Sequence, residues 1–364
     1  MKYSLRIGKV AGIDIFIHWT FPLIILWVIA GSIMQGLGPE QLIWPVLFVL
    51  ALFVCVTLHE LGHAIAAKRY KIETKDITLL PIGGVARLEN MPEKPAHELV
   101  VALAGPLVNV IIFLLLYALL GFSLTALPEA EMTFIQSANF LYMLAVANIY
   151  LVLFNLLPAF PMDGGRVLRA LLGMRMDRLR ATKISARVGQ VLAIGFILLG
   201  LYLNPFLVVI GLFIIFSAQA EAGQVEIETV LKGHTVGEIT MKEVPVLQEA
   251  DHIDKAIDML LNSQVKRFLV VGGNNVPAGM LNSDGIVRAL HEKGKDATVG
   301  EAADRKLGFI DVAEPLDKAL MMIQAEKYAM LLVTKDNHVI GAIDQDNIIE
   351  YIMILKARPA RQIF

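Results

Sequence analysis

Thr57-Leu58-His59-Glu60-Leu61-Gly62-His63-Ala64 closes a long apolar run that begins near Leu42. In helical geometry His59 and His63 lie one turn apart and present two imidazoles to a single metal ion. Glu60 stands beside them as a carboxylate able to take a proton from a metal-activated water. That is the arrangement of a metallohydrolase. Its position adds weight, because two imidazoles and a carboxylate in an apolar segment are costly unless paired or bound.

The 364 residues are 56% hydrophobic and 18% charged, with a formal net charge of -2 and a mean hydropathy of +0.63. These averages conceal two unlike parts. Residues 1 to 222 are dominated by apolar runs, whereas the remainder has a soluble composition, which implies a membrane domain followed by a soluble one. The single cysteine, Cys55, lies inside an apolar run, excludes a disulfide framework and reads as packing. No nucleic-acid partner is expected.

Six apolar runs are read as spans: Ile13–Met34, 42–67, Leu99–Leu120, Phe140–Leu157, Val188–Tyr202 and Pro205–Ala218. The first is taken as a retained helix rather than a signal peptide, with His18 as a hydrogen-bonded interfacial residue. Between the second and third runs, Asp76–Leu88 is apolar but too short to span, and Pro81, Gly83 and Gly84 interrupt it. It is expected to form a short membrane-associated β-hairpin whose exposed edge can pair with an unwound substrate. His97 reads as a cap or loop residue. Inside the third run, Asn109 needs a partner away from hydrocarbon and is placed facing the protein interior.

The fourth run ends where Pro158, Pro161, Gly164 and Gly165 must break a helix, and Asp163 at that break is the best remaining hard ligand. Two histidines and one carboxylate leave a fourth position for water, the pattern of catalytic rather than structural zinc. Lys and Arg are concentrated in the links between the second and third runs and between the fourth and fifth, and are absent from the links between the first and second and between the third and fourth and from the tip between the fifth and sixth. The positive-inside rule then places the N terminus, the His59 end of its helix, Asp163 and the soluble domain in the cytoplasm.

His59-Glu60-Leu61-Gly62-His63 together with Asn155-Leu-Leu-Pro158-Ala-Phe-Pro-Met-Asp163-Gly164 resembles the site-2 protease family of intramembrane zinc metalloproteases, and Gly105-Pro106 with Asn109 resembles a further signature of that family. The likeness covers roughly residues 1 to 220. It implies that His59, His63 and Asp163 bind one Zn2+, that Glu60 is general base and proton shuttle, and that Asn155 positions substrate or the oxyanion. It also implies cleavage of peptide bonds in or near transmembrane segments of other proteins, with the lipid bilayer as surroundings. A regulated metal-ion transporter and a non-catalytic membrane scaffold are the alternatives.

The soluble part repeats itself. Thr235-Val-Gly-Glu followed by Ile253-Asp-Lys-Ala recurs, 63 positions later, as Thr298-Val-Gly-Glu followed by Leu316-Asp-Lys-Ala. Each half continues with strand, turn, strand and helix, which resembles a tandem of cystathionine-beta-synthase-type (CBS) domains. That resemblance implies an adenine nucleotide in the cleft or homodimerisation. The ribose-contacting Asp of such domains is displaced here: Gly285 and Asn347 hold the usual offsets, and Asp284 and Asp346 stand one residue earlier as weak candidates. The expected architecture is a polytopic all-α membrane domain of about six transmembrane helices with the hairpin, over 1–222, and an α/β tandem CBS-type domain. A linker at 223–234, repeats at 235–293 and 294–356 and a tail at 357–364 complete it.

Overall fold

The computed structural model describes residues 4–81, 83–88, 92, 94–121, 135–262 and 265–357. Most of the polar link 128–138, Ile82 and nearly all of the tail lie outside the described residues. The chain divides into two compact units, Met1–Val225 and Glu226–Phe364.

The first unit opens with strands, not with a helix. β1 (Ser4–Val10) and β2 (Ile13–His18) form an antiparallel hairpin with Val10 opposite Ile13. Ala11 and Gly12 turn it with φ of 52° and 91°, the left-handed backbone that a two-residue hairpin loop demands. β2 pairs in parallel with β3 (Thr74–Leu80), which pairs antiparallel with β4 (Gly83–Leu88). The expected hairpin is thus half of a four-stranded sheet in the order β1-β2-β3-β4.

That sheet corrects the expectation of about six membrane-spanning helices. Ile13 and Ile15 are buried on one face of β2 at a spacing of two, which consumes the first part of the run Ile13–Met34. Pro22 then starts helix α1 (Pro22–Met34), whose 13 residues extend about 20 Å against about 30 Å of hydrocarbon. The fourth apolar run gives a 16-residue helix, α4 (Phe140–Asn155), about 24 Å long. Among the described residues, four helices are long and apolar enough to cross a membrane: α2 (Ile43–Arg69), α3 (Pro95–Leu119), α6 (Arg178–Tyr202) and α7 (Pro205–Leu231). The chain is a multi-pass membrane protein. Both of the last two helices exceed the expected runs because their polar ends, Arg178–Arg187 and 219–231, are helical too.

Close helix contacts position the site. Gly62 on α2 lies against α3 so tightly that a Cβ would stand 2.8 Å from the carbonyl oxygen of Ala104. Between α4 and α6 runs α5 (Asp163–Gly173). Its Arg169, 1% exposed, donates from Nε to Glu98 Oε1 on α3 at 2.7 Å and from Nη1 to Glu221 Oε1 on α7 at 2.5 Å. The guanidinium also lies 5.1 Å from the Phe160 ring centroid. A buried cation with two carboxylates and a ring face is satisfied on several sides, and it fixes α5 to its neighbours.

In the second unit each half builds a three-stranded sheet with one parallel and one antiparallel pair. β5 (Val246–Gln248), β6 (Arg267–Val271) and β7 (Pro277–Asn282) form one. β8 (Gly308–Asp311), β9 (Leu331–Lys335) and β10 (His338–Ile343) form the other. Helices α8 (Ile253–Asn262) and α9 (Ser283–Lys293) accompany the first, α10 (Leu316–Glu326) and α11 (Gln345–Ala357) the second. The repeated Thr-Val-Gly-Glu has a local cause, since Thr235 with Glu238 and Thr298 with Glu301 each form a reciprocal capping box. Along β6, Phe268 and Val270 enter the core of their own half. Leu269 and Val271 enter a core shared with Met330, Leu332 and Ala342.

Candidate active site

α2 delivers His59 and His63 to one face, and the turn between α4 and α5 brings Asp163 to them at the start of α5. His59, His63 and Asp163 are 6%, 4% and 6% exposed. The two Nε2 atoms are 3.1 Å apart, and Asp163 Oδ2 lies 3.1 Å from that of His63 and 3.2 Å from that of His59. Among the described residues they are the cluster of potential ligands able to hold a metal ion, one donor atom from each.

The spacing fits zinc. Ligands about 2.0–2.1 Å from a tetrahedral ion are about 3.3 Å from one another, close to the sides of this triangle. A second feature of the protein agrees. Gly105 of α3 faces the trio, and a Cβ there would stand 2.2 Å from His63 Nε2 and 2.7 Å from His59 Nε2. Glycine keeps that space clear beside the donor atoms.

The remaining ring nitrogens are also engaged. His63 Nδ1 lies 2.7 Å from the carbonyl oxygen of Val101, and His59 Nδ1 lies 2.5 Å from Asn109 Oδ1. Such outer partners orient imidazole ligands and keep the opposite nitrogen available. Asp163 depends on the two glycines after it. A Cβ on Gly164 would meet the carbonyl oxygens of Leu157 and Leu156 at 2.2 and 2.3 Å, and one on Gly165 would meet the Ala159 and Phe160 backbone at 2.7 Å. The start of α5 can therefore nest against the preceding turn only without side chains at those positions.

Glu60 is partly buried next to His59, and its Oε2 accepts from the backbone N–H of Ala86 on β4 at 3.2 Å. Gly84 of the same strand approaches so closely that a Cβ would stand 2.8 Å from Glu60 Cγ. Asn155 ends α4 and donates from Nδ2 to Leu151 O at 2.9 Å; no described hydrogen bond joins it to the trio. His18 bonds Thr20 at 2.7 Å, His97 stacks on Tyr70 at 4.0 Å, and Cys55 is buried, so none of the three joins the cluster.

Sequence reasoning missed the Ala86 amide, the Val101 carbonyl and Asn148. The first two are backbone groups without a sequence signal. Asn148, an uncharged polar residue inside an apolar run, carried the same signal as Asn109.

A family model described as peptidase family M50 matches residues 47–129 and 122–199. The zinc metalloprotease MJ0392 of Methanocaldococcus jannaschii is 39% identical over 313 residues, covering 84% of this chain and 87% of that protein. The chain belongs to peptidase family M50. It is accordingly a zinc metalloprotease, of the site-2 protease kind that its paired motifs resemble. The solved site-2 protease from M. jannaschii is 40% identical and covers 60% of this chain and 95% of its own, with a TM-score of 0.46. A second model, the CBS domain, matches residues 236–292, so this M50 protease carries a CBS-domain region after its membrane unit.

In the CBS region, Asp346 accepts from Arg267 Nη1 at 2.9 Å, and the same guanidinium bonds Asp344. Asp284 lies in the first turn of α9 and lines a surface groove with Val287, Arg288, His291 and Glu292. The two weak nucleotide candidates therefore stand in unlike surroundings, one in an ion pair and one on a groove wall.

Proposed function

We propose that this protease hydrolyses peptide bonds in or near transmembrane segments, with His59, His63 and Asp163 holding one Zn2+ and Glu60 moving the proton. The observation that carries this is the near-equilateral triangle of two Nε2 atoms and one carboxylate oxygen with Gly105 leaving room beside it. Held by these three residues, a zinc ion would supply Lewis acidity and would lower the pKa of an adjacent water. Glu60, held by the Ala86 N–H, takes a proton from the attacking water and returns it to the leaving amine. Asn155, at the end of α4, steadies the substrate carbonyl by donating a hydrogen bond once it leaves Leu151 O.

β4 is the last strand in its sheet, and the Ala86 amide reaches Glu60. An unwound substrate segment that pairs along β4 brings its carbonyls to the side where Glu60 stands. Lys68 and Arg69 end α2, Lys71 and Lys75 follow it, and Arg166, Arg169, Arg175 and Arg178 precede or open α6. By the positive-inside rule those ends, with the N terminus and the CBS region, are cytoplasmic. In the CBS region the proposed role is homodimerisation or nucleotide-dependent control. A nucleotide that used Asp346 would first have to displace Arg267. Binding of AMP would be read by equilibrium dialysis and self-association by light scattering; neither occurring would remove this role.

The test is metal content and cleavage of a panel of single-span membrane substrates by the purified full chain. Glu60→Gln retains zinc near one per chain and loses at least about 10²-fold in cleavage. In the same assay Gly84→Pro, which disturbs β4 beside Glu60, lowers cleavage and leaves zinc in place. Undiminished cleavage by Glu60→Gln contradicts its assignment, and undiminished cleavage by Gly84→Pro contradicts the strand-pairing route.

A further inference from the structure

From the carbonyl of Leu144 to the ring of His59, four polar groups on three helices are connected in a single line. Asn148 Nδ2 lies 2.8 Å from Leu144 O, Asn109 Nδ2 lies 2.8 Å from Asn148 Oδ1, and His59 Nδ1 lies 2.5 Å from Asn109 Oδ1. Asn109 and Asn148 are both 0% exposed. Cys55 Sγ, 3.5 Å from Asn148 Nδ2, is a weak further acceptor at the same end.

The chemistry of the groups gives the line a direction. A backbone carbonyl can only accept, so Asn148 turns its NH2 towards Leu144 and its oxygen towards α3. That oxygen can only accept, so Asn109 donates to it from Nδ2 and is left with its own oxygen towards α2. An amide oxygen facing an imidazole nitrogen requires a proton on that nitrogen. We infer that Asn148 and Asn109 are positioning residues that fix the proton of His59 on Nδ1 and hold its lone pair on Nε2, toward His63 and Asp163. His63 reaches the same state in one step, because its Nδ1 faces the Val101 carbonyl directly.

The difference between the two histidines matters. The partner of His63 is main chain and cannot be mutated away, whereas His59 depends on two side chains on α3 and α4. Both amides are sealed from water, so no solvent molecule replaces a lost member of the line. Without Asn148, the Asn109 amide is free to turn over and present NH2 to His59. The proton then moves to Nε2, the atom that has to bind metal. This inference rests on the proposed metal role of His59, although the tautomer itself does not.

The test uses full-length protein labelled with 15N at histidine, stripped of metal and held at a pH where the imidazoles are neutral. The His59 tautomer is read from its 15N–1H couplings, and zinc affinity from competition with a chelator. Wild type should show His59 protonated on Nδ1. Asn148→Leu, similar in size and apolar, should show the Nε2–H form and bind zinc about 10- to 100-fold more weakly. Asn148→Thr, whose hydroxyl can donate to the carbonyl four residues back and accept from Asn109, should recover most of both.

A wild-type His59 protonated on Nε2 overturns the inference, as does an Asn148→Leu protein with unchanged tautomer and unchanged zinc affinity. Should Asn148→Leu fail to fold, the wild-type tautomer decides alone. Wild type with the Nδ1 proton but no zinc affinity would overturn the metal assignment and leave the tautomer inference standing.

Discussion

At the scale of single residues the site depends as much on absent side chains as on present ones. Gly105 is the clearest case, with its missing Cβ only 2.2 Å from His63 Nε2. Gly105→Ala should drop zinc content from near one per chain to near zero, measured by atomic absorption after dialysis. Helix content by circular dichroism should stay unchanged, since alanine favours helix over glycine. Retention of full zinc would mean that the imidazoles stand elsewhere. That His59, His63 and Asp163 are candidate ligands was legible in the sequence because the signals are local: a four-residue spacing in an apolar helix, and a carboxylate at a proline-glycine break. Their outer partners were much less so. Nothing near Val101 or Ala86 in sequence marks a main-chain group that will meet a histidine or a glutamate from α2.

At the scale of elements, α5 is an 11-residue helix that carries Asp163 at one end and Arg169 further along. The guanidinium, paired with Glu98 and Glu221, holds this short helix to α3 and α7. Arg169→Leu leaves two carboxylates facing one another around an apolar side chain. Breaking a buried pair from one side costs about 3–5 kcal/mol, so thermal unfolding in detergent should shift to markedly lower temperature. A melting temperature equal to wild type would show that Arg169 and its two carboxylates do not anchor α5. The same scale explains the misread start of the chain. Ile13, Ile15 and Ile17 alternate with Asp14, Phe16 and His18, but they run into the apolar segment of α1 and so resemble one continuous span. What makes them a strand is β3, whose Asp76 to Leu79 pair with Asp14 to Ile17 from far along the chain. Pairing across such a separation is invisible to local periodicity.

At the scale of the molecule, the potential metal ligands, the amide line and the Arg169 ion pairs all belong to the unit Met1–Val225. A chain ending after Val225 should therefore bind zinc with the stoichiometry of the full protein, as measured by chelator competition in detergent. Loss of zinc on truncation would show that the CBS region completes the site. The two-part organisation was legible because composition changes abruptly near residue 222 and because the repeated capping motif marks each CBS half. The count of spanning helices was not, since apolar content alone does not separate a strand plus a short helix from a single long one.

The most direct test of the central claim is zinc-edge X-ray absorption on the purified full-length protein. One zinc per chain is expected, with two imidazole nitrogens and oxygen ligands at about 2.0–2.2 Å and no sulfur. His59→Ala should remove one imidazole from that shell or abolish binding. A sulfur ligand, or an unchanged two-imidazole shell in His59→Ala, would contradict the assignment of His59, His63 and Asp163 as the metal site.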